Sequence, residues 1–288
     1  MNSRVIGADI GGSHITAALV DLERKEIVEE TICRREIDSS GSQETIISDW
    51  CYAIKQCIYS CSLENIFIGV AMPGPFDYEN GVCYIKEQAK YKSLYSVNVK
   101  KALAAELNVP SGNIQFINDA ASFLKGEVFA GTAQNCATVF GFTLGTGFGS
   151  SFYNDDEVKD GDLWRHRFKE GMAEDYFSTR WFVRRYTEKT SQHVTSVKDL
   201  AERYNDEIPV KEIFTEFGTN LGDFIANISK DKKPEMIVLG GNISKSFHCF
   251  KTALKNKLNN HGLNLQVEQS LLNENAILFG SASSWLKT

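Results

Sequence analysis

The fold is decided by residues 5–21, which read VIGADIGGSHITAALVD. Two apolar segments flank Gly11-Gly12-Ser13, and Asp9 lies two residues before the first glycine. Two glycines and a serine between such segments predict a tight β-hairpin turn. Because glycine lacks a Cβ, phosphate oxygens could approach the backbone N–H groups of this turn. Asp9 would end the first strand, where a carboxylate could hold a hydrated magnesium ion. The alternative is an ordinary glycine-rich hairpin without a ligand.

The composition indicates a globular protein of two domains. The chain has 288 residues, of which 42% are hydrophobic and 24% charged. A net charge of −6 and a pI near 5.5 argue against a surface that binds nucleic-acid phosphates. A strand that begins by Arg4 leaves no room for a signal peptide, and no apolar run reaches the roughly 18 residues that span a membrane. We therefore expect a cytoplasmic protein with no nucleic-acid or membrane partner.

The seven cysteines predict reduced thiols rather than disulfides or a metal site. Their number is odd, and no pair has the C-x-x-C spacing. Cys57 and Cys61 are one helical turn apart, but no matching histidine or cysteine lies nearby. Mostly buried, reduced thiols are typical of a reducing compartment.

A second hairpin is predicted further along the chain. Residues 137–144 and 149–153 read as strands around Gly145-Thr146-Gly147, and the buried strand 236–239 ends in Gly240-Gly241-Asn242. Two similar hairpin turns, about 135 residues apart, suggest two related α/β lobes with a cleft between them. Hydrophobic periodicity also predicts a strand over 26–32 and helices over 43–61, 120–129, 173–186, 210–228 and 275–286.

A candidate catalytic carboxylate follows the predicted strand 114–117, which runs into Asn118-Asp119. Asp119 is thereby placed near the carboxyl end of a strand and the start of a helix, where catalytic groups lie in α/β folds. An aspartate before an alanine-rich helix is also a good N-cap, so a purely structural role is the alternative.

The order of these motifs resembles the sugar kinase and actin superfamily and, within it, the glucokinase-like sugar kinases of the ROK family, which also contains repressors. The resemblance covers nearly the whole chain and is carried by five segments: Asp9–Ser13, Pro73–Pro75, Asn118–Ala121, Leu144–Gly149 and Val238–Asn242.

The resemblance implies an α/β, two-lobed, actin-like or ribonuclease H-like ATPase fold with an interlobe cleft. The expected lobes are residues 1–118 with about 275–288, and residues 119–274. ATP and Mg²⁺ would be the cofactors and a hexose or related sugar the substrate. The implied roles are phosphate binding by Gly11, Gly12, Ser13, Gly145, Thr146 and Gly147, adenosine binding by Gly240, Gly241 and Asn242, magnesium positioning through water by Asp9, sugar binding by Gly74 and Asn118, and general base catalysis by Asp119.

The sugar-binding segment departs from the family pattern. The family's Glu-x-Gly-His pair and its cysteine zinc loop are absent, and no cysteine lies between Cys136 and Cys249, so no zinc site is expected there. Glu174 precedes Asp-Tyr-Phe-Ser, which resembles the family segment in which a glutamate contacts the sugar; a carboxylate that favours the helix dipole is the alternative. Asp162 and His166 could replace the missing pair. Residues 87–91 occupy the position of the family's other sugar loop.

Four functions remain to be compared. The leading one is ATP- and magnesium-dependent phosphorylation of a sugar hydroxyl. A non-catalytic sugar or nucleotide sensor would explain the altered sugar segment, although it has no need of Asp119. A repressor is disfavoured because no helix-turn-helix precedes the first strand. A kinase that forms acyl phosphates would need arginine for the acceptor carboxylate, and Arg165 and Arg167 are the candidates. A homodimer is plausible from the resemblance.

Overall fold

The structure is a computed structural model that describes residues 3–59, 66–86 and 90–286. Its strands are β1 (Arg4–Ile10), β2 (His14–Asp21), β3 (Glu26–Ile27), β4 (Cys33–Glu36), β5 (Ile68–Met72), β6 (Phe76–Asp77), β7 (Val82–Cys83), β8 (Ile114–Asn118), β9 (Thr138–Leu144), β10 (Phe148–Asn154), β11 (Glu157–Asp160), β12 (Arg167–Phe168), β13 (Gly171–Met172), β14 (Met236–Gly240) and β15 (Gln266–Gln269). Its α-helices are α1 (Gln43–Tyr59), α2 (Val99–Leu107), α3 (Asp119–Ala130), α4 (Ala173–Tyr176), α5 (Thr179–Thr190), α6 (Val197–Glu202), α7 (Ile208–Lys232), α8 (Phe247–Asn260) and α9 (Asn275–Ser283).

The chain divides into two compact units. The first unit comprises Met1–Gly131 and Glu274–Thr288, and the second comprises Thr132–Asn273. The sequence analysis placed the boundary before residue 119, whereas the structure places all of α3 in the first unit. The physical reason is that α3 packs closely along α9.

The first unit is built on a mixed sheet with the strand order β3-β2-β1-β5-β8, in which β4 pairs with the other end of β2. The hairpin β1–β2 is antiparallel, and β5 and β8 join it in parallel. The register sets Asp9 opposite Ala71, and the next residue of β5, Met72, opposite Asn118. Asp9 and Asn118 therefore lie at the same end of the sheet.

The second unit repeats this arrangement with the order β11-β10-β9-β14-β15. The β9–β10 hairpin is antiparallel and is followed by two parallel neighbours, which confirms the second hairpin of the sequence analysis. Its core is rich in aromatic side chains from the sheet and from α5, α7 and α8, among them Phe142, Phe182, Phe217 and Phe250.

Two predicted elements are interrupted in the structure. The strand expected over 26–32 stops after β3, because the Thr31 hydroxyl accepts from the N–H of Leu19 at 2.8 Å and donates to the carbonyl of Val28 at 2.6 Å. The helix expected over 173–186 is divided into α4 and α5. Between them the chain turns so that Thr179 can bind the carbonyl of Gly145.

No helix in the described ranges is both long and apolar enough to cross a membrane. The six cysteines that these ranges contain form no disulfide bond, and Cys61 lies outside them.

Candidate active site

The Gly11–Ser13 turn of the first unit is held from two sides while its outer face is open. The N–H of Gly11 donates to the carbonyl of His14 at 2.9 Å, which closes the hairpin. The hydroxyl of Tyr91 donates to the carbonyl of Gly11. Gly12 and Ser13 are exposed. The turn is therefore a fixed backbone loop of the kind that can receive an anion.

Asp9 lies beside this turn in an environment that opposes its negative charge. Burial raises the pKa of its carboxyl to about 7; the charges of Asp119 and Glu274 also raise it, and Arg34 acts in the opposite direction. The carboxylates of Asp9 and Asp119 therefore influence each other within one unit. A cation near Asp9 would stabilise its ionised form.

The donor set around Asp9 fits a hydrated magnesium ion better than a closed metal site. Nowhere in the described part of the chain do three His, Cys, Asp or Glu side chains gather closely enough to hold a metal by themselves. Mg²⁺ usually keeps several waters and takes one or two carboxylates together with substrate phosphates. A carboxylate next to an open phosphate-type turn meets that requirement.

Asn118 and Asp119 lie at the junction of β8 and α3. Asn118 is the N-cap of the helix, and its Oδ1 accepts from the N–H of Ala121 at 3.1 Å. Asp119 is the first helical residue, and its Oδ1 accepts from the N–H of Ala120 at 2.8 Å. The alternative that Asp119 is the N-cap is therefore wrong, because its neighbour has that role. Asp119 therefore lies at the positive end of the dipole of α3.

Tyr78 connects Asn118 to the Pro73–Pro75 loop. Its hydroxyl accepts from Nδ2 of Asn118 at 3.2 Å and donates to the carbonyl of Met72 at 3.1 Å. The same hydroxyl lies 3.2 Å from the position that a Cβ on Gly74 would take. Two predicted sugar-binding residues, Gly74 and Asn118, are thus brought against one tyrosine.

The Gly145–Gly147 turn of the second unit is anchored within that unit. The N–H and the hydroxyl of Thr179 donate to the carbonyl of Gly145 at 2.8 and 3.0 Å. A Cβ on Gly145 would meet no atom within 4 Å, and Thr146 is exposed. This turn therefore combines a fixed backbone with an open outer face, as the first turn does.

Glu174, predicted to bind sugar, lies against this same turn. Its Oε2 accepts from the N–H of Phe148 at 3.2 Å and would lie 2.8 Å from a Cβ on Gly147. Its Oε1 forms an ion pair with Arg180 at 2.7 Å. Each carboxylate oxygen keeps a further lone pair. The sugar contact stays a prediction, and the observed role of Glu174 is to support the turn.

The Gly240–Asn242 turn follows β14. Gly241 has a φ of +80° and its Cβ would overlap the carbonyl of Leu144, so glycine is required there for both conformation and space. The Ser244 hydroxyl donates to the carbonyl of Gly241 at 2.8 Å. The turn thus lies next to the start of the Gly145–Gly147 turn, and Asn242 is exposed.

Asp162 and His166 flank the 3-10 helix Leu163–Arg165. Both are exposed; Asp162 pairs with Arg165, and the His166 ring packs edge-on against Phe224 with centroids 5.8 Å apart. Their roles as sugar ligands stay predictions. Residues 87–89 of the other predicted sugar loop lie outside the described residues.

Three residues of the site carry no motif signal in the sequence: Tyr78, Tyr91 and Thr179. The hydroxyl of each residue forms a hydrogen bond with another segment of the chain; Tyr91, for example, is 80 positions away from Gly11. A contact of this kind depends on the tertiary fold, so local sequence patterns do not reveal it.

The model of the ROK family matches residues 5–163 and 169–286. The chain belongs to the ROK family. It is similar to the N-acetyl-D-glucosamine kinase of Photobacterium profundum, with 22% identity over 90% of each chain. It is also similar to the beta-glucoside kinase of Listeria monocytogenes, with 25% identity over 99% of this chain and 98% of the relative.

The fold is likewise that of ROK-family structures. The ROK glucokinase of Streptomyces griseus, solved with glucose and AMPPNP, superposes with a TM-score of 0.76 at 20% identity and 98% coverage of both chains. The predicted α/β fold of the actin-like ATPase type is thereby confirmed.

Proposed function

We propose that this ROK-family protein is a sugar kinase that transfers a phosphoryl group from ATP to a hydroxyl of a hexose or related sugar. The observation that carries the proposal is the placement of Asp9 and Asp119 in one unit, close enough for the charge of Asp119 to raise the pKa of Asp9, beside the open Gly11–Ser13 turn. The kinase names of the relatives support the reaction class.

Asp119 is assigned the role of general base. Phosphoryl transfer needs in-line positioning, charge stabilisation and a group that accepts the proton of the attacking hydroxyl. The backbone of α3 holds Asp119 at a helix N-terminus, and its neighbour Asn118 keeps one amide hydrogen for a sugar hydroxyl beyond the bond to Tyr78.

The glycine-rich turns are assigned the role of binding the nucleotide. Gly11–Ser13 and Gly145–Gly147 would bind phosphate oxygens through backbone N–H groups, and Gly240–Asn242 would accommodate adenosine. Mg²⁺, when bound near Asp9, would neutralise charge on the phosphates. Glu174, Asp162, His166 and Gly74 remain the candidate sugar contacts.

The test is an assay of ADP release with MgATP and a panel of glucose, mannose, N-acetylglucosamine, N-acetylmannosamine, N-acetylgalactosamine and β-glucosides. Wild-type protein is expected to turn over with at least one sugar class. Asp119→Asn should lower kcat by at least about 10²-fold while sugar still binds. The matched control is Asp206→Asn, which changes an exposed aspartate of the second unit and should leave the rate unchanged.

The sensor function is the second candidate, favoured by the engagement of Glu174 with Arg180 and the Gly-rich turn. A sensor would bind ATP or sugar in calorimetry and release no ADP with any acceptor. Measuring the sugar phosphate formed when polyphosphate replaces ATP separates an alternative phosphoryl donor from this outcome. A cytoplasmic location and a homodimer are further proposals, the latter testable by light scattering.

A further inference from the structure

We propose that Lys90 contacts the phosphoryl group that is transferred and that Tyr91 holds Lys90 at the Gly11–Ser13 turn. The inference rests on the proposed kinase function, and it adds a lysine to the backbone N–H groups and carboxylates already assigned to the site. No motif of the sequence marks either residue for this role.

Tyr91 is fixed in place from several directions. It is fully buried, its N–H donates to the carbonyl of Ser39 at 2.7 Å, and its ring packs edge-on against Trp50 with centroids 5.3 Å apart. Its hydroxyl donates to the carbonyl of Gly11. Its backbone is left-handed, with a φ of 58°, a conformation that non-glycine residues rarely adopt. Such strain persists only where the surroundings impose it, and it concentrates at functional sites.

Lys90 directly precedes this anchor and lies along the turn. Its Cδ is 3.4 Å from the position that a Cβ on Gly12 would take, so the aliphatic part of the side chain runs past the face of the turn that lacks a side chain. Lys90 is partly exposed, and within the described residues its ammonium group has no carboxylate partner within ion-pair distance. Arg34, whose charge reaches Asp9, is already paired with Glu274 at 3.0 Å.

The charge of the site explains why a lysine is needed here. Asp9 and Asp119 are both acidic, and their mutual repulsion contributes to the raised pKa of Asp9. An anionic phosphate chain brought to the same turn would add negative charge. A lysine on the turn offsets that charge. Its interaction with the phosphoryl oxygens strengthens as charge develops on the transferred group.

Phosphoryl transfer from ATP to the sugar hydroxyl needs no further reactant. The sugar oxygen forms a bond to the γ-phosphorus as the bond from that phosphorus to the β–γ bridging oxygen breaks, and ADP leaves with the electron pair. The proton of the sugar hydroxyl passes to the Asp119 carboxylate. Lys90 acts only through its charge and its hydrogen bonds to the non-bridging oxygens.

The experiment compares Lys90→Met with Lys92→Met, which changes an exposed lysine two residues further on. Lys90→Met is expected to lower kcat/KM for ATP by roughly 10²-fold, with unchanged sugar affinity and unchanged melting temperature. Lys90→Arg should recover part of the rate. Lys92→Met should behave as the wild type. Wild-type kinetics in Lys90→Met would overturn the proposal.

Tyr91→Phe tests the anchor separately. Loss of its hydroxyl should raise KM for ATP more than it lowers kcat, because Lys90 keeps its charge and loses its fixed position. Equal KM values in Tyr91→Phe and wild type would refute the anchoring role.

AMPPNP calorimetry separates failure of this inference from failure of the proposed function. If no sugar is phosphorylated by the wild type, AMPPNP affinity still decides: about tenfold weaker binding by Lys90→Met than by Lys92→Met supports the phosphate contact. Equal affinities, or no AMPPNP binding by the wild type, would overturn it.

Discussion

The orientation of one amide group decides how the candidate sugar site can work. Asn118 directs its Oδ1 to the N–H of Ala121 and its Nδ2 to the hydroxyl of Tyr78. Because the Tyr78 hydroxyl donates its only proton to Met72, it can only accept from Asn118. The amide is therefore fixed in one orientation, with a hydrogen left for a substrate.

Removing the Tyr78 hydroxyl should release this amide. In Tyr78→Phe we expect KM for the sugar to rise about 5- to 10-fold, the loss of one hydrogen bond, with KM for ATP unchanged. Steady-state kinetics with each substrate varied in turn measure the effect. Tyr84→Phe, at an exposed tyrosine, is the control. A sugar KM that stays at the wild-type value in Tyr78→Phe would show that the amide orientation does not matter.

The pH dependence of stability should report the environment of Asp9. Its folded-state pKa is about 7 and its ordinary value is 3.8, so between these values the folded state binds more protons than the unfolded state. The contribution of Asp9 to the free energy of unfolding must therefore fall as pH rises from about 4 to 7. Urea titrations in EDTA should show that the stability of the wild type relative to Asp9→Asn falls over this pH range. Identical slopes in both proteins would contradict the assigned environment.

Sequence patterns predicted those candidate site residues that belong to short local motifs. The Gly11–Ser13 turn and the position of Asp119 at a strand–helix junction follow from local spacing, and the structure places them as expected. The roles of Tyr78 and Tyr91 could not be predicted, because a hydroxyl that holds a carbonyl or amide from another segment depends on packing.

At the scale of elements, the close crossing of α3 and α9 is the feature most sensitive to change. A Cβ on Gly126 would overlap the carbonyl of Ala276, and one on Gly280 would overlap the carbonyl of Ser122. The helix carbonyls occupy the space of the missing side chains. A helix pattern alone predicted both helices, but it did not predict that they pack against each other.

Gly126→Ala should therefore separate the two helices. We expect the free energy of unfolding to fall by about 1–3 kcal/mol or more, because overpacking at a rigid backbone contact has no easy relaxation. Gly112→Ala is the control, since a Cβ there meets no atom within 4 Å, and it should change stability by less than about 1 kcal/mol. Similar midpoints of denaturation for the two variants would argue against the tight crossing.

The segment between β11 and α4 is held by an aromatic cluster. Phe168 is buried and packs against Tyr176, Phe177 and Phe224 with centroids 5.2–5.6 Å away. This packing anchors the segment that, by the resemblance, takes the place of the family's zinc loop, which this chain lacks.

Phe168→Ala should lower the free energy of unfolding by about 3–5 kcal/mol, whereas Trp164→Ala, at a residue that is 46% exposed, should have a small effect. EDTA should leave the wild-type melting temperature unchanged. A chelator-induced fall in that temperature would show that a metal, rather than the aromatic cluster, holds the segment.

At the scale of the whole molecule, the first unit is assembled from two separate parts of the chain. Nearly all of α9 is buried, and it packs on α3, β1 and β5. Of these elements, α3 begins at Asp119, β1 contains Asp9, and β5 pairs with β1. The second unit, from Thr132 to Asn273, has a core cluster of its own.

Removing residues 274–288 should unfold the first unit and leave the second folded. Hydrogen exchange followed by mass spectrometry should show protection lost in β1, β5 and α3 and retained in β9, β14 and α7, which act as the internal reference. Persistent protection of β1 in the shortened chain would contradict the structural role assigned to α9.

The position of α9 after the second unit also affects the order in which the two units fold during synthesis. The strand with Asp9 is synthesised before the second unit, whereas the helix that covers it is synthesised after the second unit. The second unit can fold as soon as it leaves the ribosome, because domains generally fold as units during synthesis. The first unit cannot complete its packing until α9 has been synthesised. A chain whose synthesis has not reached α9 therefore lacks the packing that supports Asp9 and Asp119.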